Sequence, residues 1–127
     1  MGQVEAIIAD YDKFCEKTII RLALEVNANC VIATPVDIGW ARAGWVPSVG
    51  QPHSGGADLS PDPSDVSIAL GRQSTGTAQL VAYRLSQGDV FSTNNVTYIE
   101  ALNAGSSSQA PAGFVQSAIV KAVRSVQ

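Results

Sequence analysis

Charge is scarce in this chain: Lys, Arg, Asp and Glu make up 15% of its 127 residues, against roughly 25% in an ordinary soluble domain. Much of the surface must therefore be built from Ser, Thr, Asn, Gln, Gly and Ala, a composition that suits burial against neighbouring subunits. The eight basic residues (Lys13, Lys17, Arg21, Arg42, Arg72, Arg84, Lys121, Arg124) are dispersed, and the net charge is −3. A sequence-independent DNA binder gathers several cations on one face to displace counterions from phosphates; that footprint is missing, so a duplex would meet this chain as a neutral or slightly repelling wall. The two cysteines, Cys15 and Cys30, fall within one expected helix, about 22 Å apart at a rise of ~1.5 Å per residue. A disulfide needs Cα atoms within about 7 Å, so free thiols are expected, in keeping with a reducing cytoplasm. No run of about 18 apolar residues is present to cross a bilayer. The opening Met1-Gly2-Gln3-Val4-Glu5-Ala6 has neither the basic nor the apolar region of a signal peptide, and Ala6 stands where a myristoylation motif wants Ser or Thr.

What the chain does have is apolar material, 46% of its residues, enough for one core and hence a single domain over 1–127. Val4, Ile7, Ile8, Tyr11, Phe14, Cys15, Thr18, Ile19, Leu22, Ala23 and Val26 step by three and four, which predicts a long helix over 4–33. Asp12 and Glu16 are spaced to support basic partners on its solvated face. Ile20 and Leu24 lie off the main stripe, so a second cover, such as another subunit, is expected. Thr34-Pro35 ends the helix, and Asp37 offers a cap to a short helical turn over 38–43. Residues 44–50 read as a strand anchored by Trp45, with Pro47 marking an edge or bulge, and 89–93 read as a strand able to pair with it. Residues 51–65 hold Pro52, Gly55, Gly56, Pro61 and Pro63 with little apolar content beyond Leu59, predicting a long projecting loop. Residues 66–70 are ambiguous between strand and helix. A helix is expected over 75–85, closed near Gly88, then a turn at Asn94-Asn95, a short helix over 98–104 ended by Gly105, and a connector over 106–109. The last helix is expected to begin at Pro111 and to pack on the first through Phe114, Val115, Ala118, Ile119, Ala122, Val123 and Val126. The fold class is α+β: a long N-terminal helix and a C-terminal helix packed on a small antiparallel sheet, with a long projecting loop.

Catalytic material is thin. His53 is the single histidine, and it falls in the Pro/Gly loop rather than on the rigid scaffold a catalytic group normally requires. Gly71-Arg72-Gln73-Ser74-Thr75-Gly76-Thr77 has the glycine spacing of a phosphate loop, but Thr77 replaces the lysine that meets the β/γ-phosphates, so a helix-initiating turn is the better reading. Asp58, Asp62 and Asp65 lack the glycine and terminal glutamate of a calcium loop and read as solvated loop residues. Asn95-Val96-Thr97 matches a glycosylation acceptor by accident. Trp40 and Trp45, flanking Arg42, read first as core anchors and second as an inter-subunit contact, where Trp and Arg are enriched. No catalytic residue, cofactor site or metal site is expected.

Two separated blocks carry a resemblance. The first is Thr34-Pro35-Val36-Asp37-Ile38-Gly39-Trp40-Ala41-Arg42-Ala43-Gly44-Trp45; the second is Asn94-Asn95, Tyr98, Leu102 and Gly105, followed by Gln109-Ala110-Pro111, Gly113 and Val115. Together they resemble the neck and tail-completion proteins of long-tailed bacteriophages, the lambda-like minor tail component family, with Ile38 standing where that family commonly has Thr. The resemblance implies a non-enzymatic virion protein, assembled in the host cytoplasm. It implies a homo-oligomeric ring, commonly hexameric, between the head connector or stopper and the tail terminator or tail tube, with DNA merely passing through. On this reading Pro35, Asp37, Gly39, Arg42, Trp45, Tyr98, Gly105 and Pro111 define the fold. Gln51, His53, Leu59 and Asp62 of the loop and Ser107 and Gln109 of the connector are expected at contacts between subunits or rings. A tail terminator ring is the nearest alternative. A small enzyme built on His53 and Asp37, or a DNA-binding accessory factor, is more remote.

Overall fold

The computed structural model describes residues 2–35, 40–56 and 65–127. Among them the chain runs α1 (Gln3–Ala33), α2 (Trp40–Ala43), β1 (Trp45–Val49), α3 (Ser67–Val81), a single 3-10 turn at Leu85–Gln87, β2 (Val90–Asn94), α4 (Ile99–Asn103) and α5 (Phe114–Ser125). This is the expected α+β arrangement, with two long helices against an antiparallel pair of strands whose register sets Trp45 opposite Asn94 and Val49 opposite Val90.

The end of α1 is built by side chains of the first motif block. Thr34, wholly buried, donates its hydroxyl to Cys30 O at 2.6 Å and accepts the Trp45 indole N–H at 2.7 Å. Arg42 donates to Thr34 O and Ile32 O, placing a cation on the terminal carbonyls, where the helix dipole favours it. Trp45 then fills the gap between α1 and α5 with Cys30 and Ala118, and α5 lies on α1 with Asn29 donating to Ala118 O. A second cluster joins Ala41, Val96, Leu102, Ala110 and Phe114, with Tyr98 packed against it. Pro47 is tolerated because β1 is an edge strand, and α3 covers that edge: Gln73 donates to Trp45 O, and a Cβ on Gly76 would overlap the Pro47 carbonyl.

Four expectations need correction. The helix expected from 75 begins at Ser67 and ends at Val81. Its start is set by Asp65, whose carboxylate accepts the Ser67 N–H and hydroxyl, and the glycines of the supposed helix-initiating turn lie inside it. Gly88 has φ +89° but closes the 3-10 turn, not this helix. Pro111 does not start the last helix. Gly113, at φ +77°, is its N-cap, and Asn103 reaches across from α4 to accept the Val115 N–H. Finally, Glu16 pairs with Arg84 across the fold at 3.3 Å and not with a neighbour along α1. The loop expected to project is described only to residue 56, and that part lies against the body. Asn95 donates to His53 O and Gly55 O, while Arg72 donates to Gly56 O.

Candidate interaction surface

The apolar stripe of α1 divides into two stretches with different fates. From Glu16 onward the helix is held. Glu16 accepts the Leu85 N–H as well as the Arg84 guanidinium, Asn27 is buried and accepts the Ser92 hydroxyl at 2.6 Å, and Arg21 donates to Ser125 O at the far end of α5. Before Glu16 none of the other described elements covers the stripe. Val4, Ile7, Ile8, Tyr11 and Phe14 are between 54% and 67% exposed, and Gly2 supplies no side-chain cap to the helix end. The expected burial of these positions is therefore overturned within the single chain: α5 ends beside Arg21, and residues 3–14 extend past it as a free arm. Ile119 and Val123 of α5, also expected inside, are exposed as well; Phe114, Ala118 and Ala122 form the buried face.

An open groove of about 550 Å³ continues from the arm, lined by Ile19, Leu22, Ala23 and Val26 of α1, Tyr83, and Val90 and Phe91 of β2. It carries no carboxylate–imidazole pair or other convergent chemistry. Both thiols are free, with Cys30 buried and its pKa pushed up to about 11 by that burial. Tyr11 is raised from its usual phenol value by the hydrogen bond and charge of the Cys15 thiol one turn on. Among the described residues no group of three His, Cys, Asp or Glu side chains could hold a metal, and no helix is long and apolar enough to cross a membrane.

Those residues expected at contacts that the structure describes do not gather in one place. Gln51 is exposed, and His53 is half-buried, its Nε2 out of solvent and without a hydrogen-bond partner. The Gly55 backbone lies so close to His53 Nε2 and the Arg72 guanidinium that a Cβ there would displace one of these side-chain ends. Ser107 accepts the Gln109 N–H, and Gln109 lines a separate cleft with Asn29, Ile32 and Phe114. Leu59 and Asp62 lie outside the described residues, as do Asp37 and Gly39 of the first motif block. Pro35 is buried, Gly105 adopts φ +101° to leave α4, and Pro111 is exposed.

Sequence reading missed the roles of three asparagines. Asn94 donates to Ala41 O and accepts the Val96 N–H, Asn95 holds the loop, and Asn103 caps α5 from another helix. For Asn94 and Asn95 the only signal was their adjacency, read as a turn inside the second block; nothing local signalled the role of Asn103. Comparison of the chain with protein-family models, with curated proteins and with solved structures gives no match.

Proposed function

We propose that this chain is a structural subunit of the head-to-tail junction of a tailed bacteriophage, assembling with copies of itself into a ring that completes the tail and leaves an axial passage for DNA. The observation that carries the reading is the free arm of α1: five large apolar side chains, each more than half exposed, on a helix of about a dozen residues that no other described element covers. Isolated helices of that length are marginal in water, and a contiguous apolar patch of this kind marks an interaction site. The two sequence blocks that suggest the family supply the local scaffold, through Thr34, Arg42 and Trp45 at the end of α1 and through Asn94 and Asn103 around α4 and α5. The sparse, dispersed basic residues fit a wall past which DNA slides better than a surface that grips it.

Antibody labelling of intact particles tests the reading, with label expected where capsid meets tail; particles bearing no copy there overturn it. Loss of the protein should leave tails of normal length that fail to join heads. Overlong tails would instead assign it as a tail terminator.

A further inference from the structure

We infer that α1 pairs with α1 of a second copy as an antiparallel helix pair across its free arm, with Asp10 of each copy set against Lys17 of the other. This inference draws on the same arm as the proposed function but assigns it to a two-fold pair, which closes on itself, so a ring would join such pairs through other faces. On the arm, Val4, Ile7, Tyr11, Phe14 and Thr18 are separated by alternating steps of three and four residues, which is the a/d spacing of a two-helix seam, and Ile8 and Cys15 widen it on the e side. All except Cys15 are exposed in the single chain. The g positions flanking the seam on its other side hold Asp10 and Lys17, both exposed.

These two charges select the direction. In an antiparallel pair, a positions face d positions, so Tyr11 meets Phe14 of the other copy and Ile7 meets Thr18. The g residues then face one another as Asp10 and Lys17, twice by symmetry. In a parallel pair, g faces e of the next heptad, setting Asp10 against Cys15 and Lys17 against Leu22, and neither charge is answered. The antiparallel order also directs the two bodies, which begin at Glu16, to opposite ends of the seam. The first turn of each helix then ends near Leu22 of the other copy, at the groove lined by Leu22, Val26 and Phe91.

The area suffices. With aromatic side chains of 150–250 Å² and aliphatic ones somewhat smaller, the exposed fractions of the five arm residues offer roughly 600 Å² per copy, so a pair that covered them completely would bury about 1,200 Å², against the ~1,000 Å² that a specific interface needs.

Sedimentation equilibrium of the full chain tests the inference. A dimer is expected for the native sequence, and Ile7→Lys with Phe14→Lys should weaken it by at least about 100-fold, the loss of several buried apolar groups. These positions are exposed in the subunit, so an unchanged circular dichroism spectrum should accompany the loss. D10K alone and K17D alone should each weaken self-association by about tenfold, whereas an equimolar mixture of the two should associate as a heterodimer. Under mild oxidation I8C should form an intermolecular disulfide with the native Cys15 that disappears in I8C/C15S. A chain that is monomeric at every accessible concentration overturns the inference, as does association indifferent to all four charge and core substitutions. A ring at the junction whose subunits show no two-fold pairing through α1 would sink the helix pair and leave the ring proposal standing. A pair that forms in a protein absent from the junction would do the reverse.

Discussion

The two stretches of α1 are written in the same pattern and live in different surroundings. Residues 16–33 bury Asn27 and Cys30 and are tied by side-chain hydrogen bonds to the 3-10 turn, β2 and α5. Residues 3–14 repeat the apolar step with larger side chains, and each of those side chains is more than half exposed. Periodicity reports which face of a helix is apolar; it does not report what the face meets. A helix that keeps its apolar stripe beyond the edge of its own domain is written for a surface that the chain alone does not supply.

The strongest way to break this contrast is to truncate one large side chain on each stretch. Trp45 is buried against the held stretch, where its indole also serves Thr34, so Trp45→Ala should cost about 3–5 kcal/mol in urea unfolding. Phe14→Ala, at a position 66% exposed, should change the stability of the isolated subunit by no more than about 0.5 kcal/mol. Comparable losses at the two positions would mean that the arm is covered within one chain. A smaller effect is expected at Gly76, whose backbone rests on the Pro47 carbonyl: despite alanine's better helix propensity, Gly76→Ala should destabilise by about 1–3 kcal/mol, because α3 must back away from β1. A stabilised variant would show that α3 does not sit on that edge.

Local rules made part of this structure legible in the sequence, and tertiary contacts account for the rest. The α1 boundaries, the pairing of 89–93 with the Trp45 strand, the packing of α5 on α1 and the free thiols follow from local rules: a 3.6-residue period, a proline after Thr34, a turn at Asn94-Asn95. The start of α3 did not, because Gly71 and Gly76 argue locally against a helix; Gly76 is explained by its close tertiary contact with Pro47, whereas Gly71 faces open space. Pro111 misled for a similar reason, since the cap of α5 comes from Asn103, a residue of another helix. Of the candidate site, composition showed that the surface was poor in charge, but only the placement of α5 showed which stretch of α1 stays uncovered. Of the loop and connector residues singled out in the sequence, His53 and Gln109 line separate clefts, because nothing local links positions half a chain apart.

The cysteines sharpen the contrast chemically. Cys15 stands at the start of the held stretch, half-buried, and Cys30 is buried within it. Under native conditions an aromatic disulfide reagent should label Cys15 first and Cys30 only as the chain opens. Burial raises the Cys30 thiol from 9.0 to about 11, so its proton is held more tightly in the folded chain than in the unfolded one. The stabilisation linked to that group is whole below pH 9 and is lost as the pH rises from about 9 toward 11, because the unfolded thiol ionises first. Stability measured across that window should fall, and Cys30→Ala should remove this part of the slope. A slope unchanged in the variant would assign it to other groups.

The smallest expected effect lies at the boundary itself. Glu16 is largely covered, with a side chain 16% exposed, whereas its partner Arg84 is 74% exposed. Solvent screens the charge of such a pair, so removing the guanidinium with Arg84→Ala should cost no more than about 1 kcal/mol. Glu16 also accepts the Leu85 N–H at 3.0 Å, an amide at the start of the 3-10 turn that would otherwise lack a partner there. Glu16→Ala should therefore cost more than Arg84→Ala, by about the 0.5–1.5 kcal/mol of one hydrogen bond. The distinction is best read by hydrogen exchange. Glu16→Ala should speed exchange at Leu85 and in the turn of α1 around residue 16, leaving the amides near Cys30 as slow as before. Equal acceleration at both ends of α1 would mean that the arm and the held stretch unfold as one unit, and that the boundary at Glu16 separates exposure without separating stability.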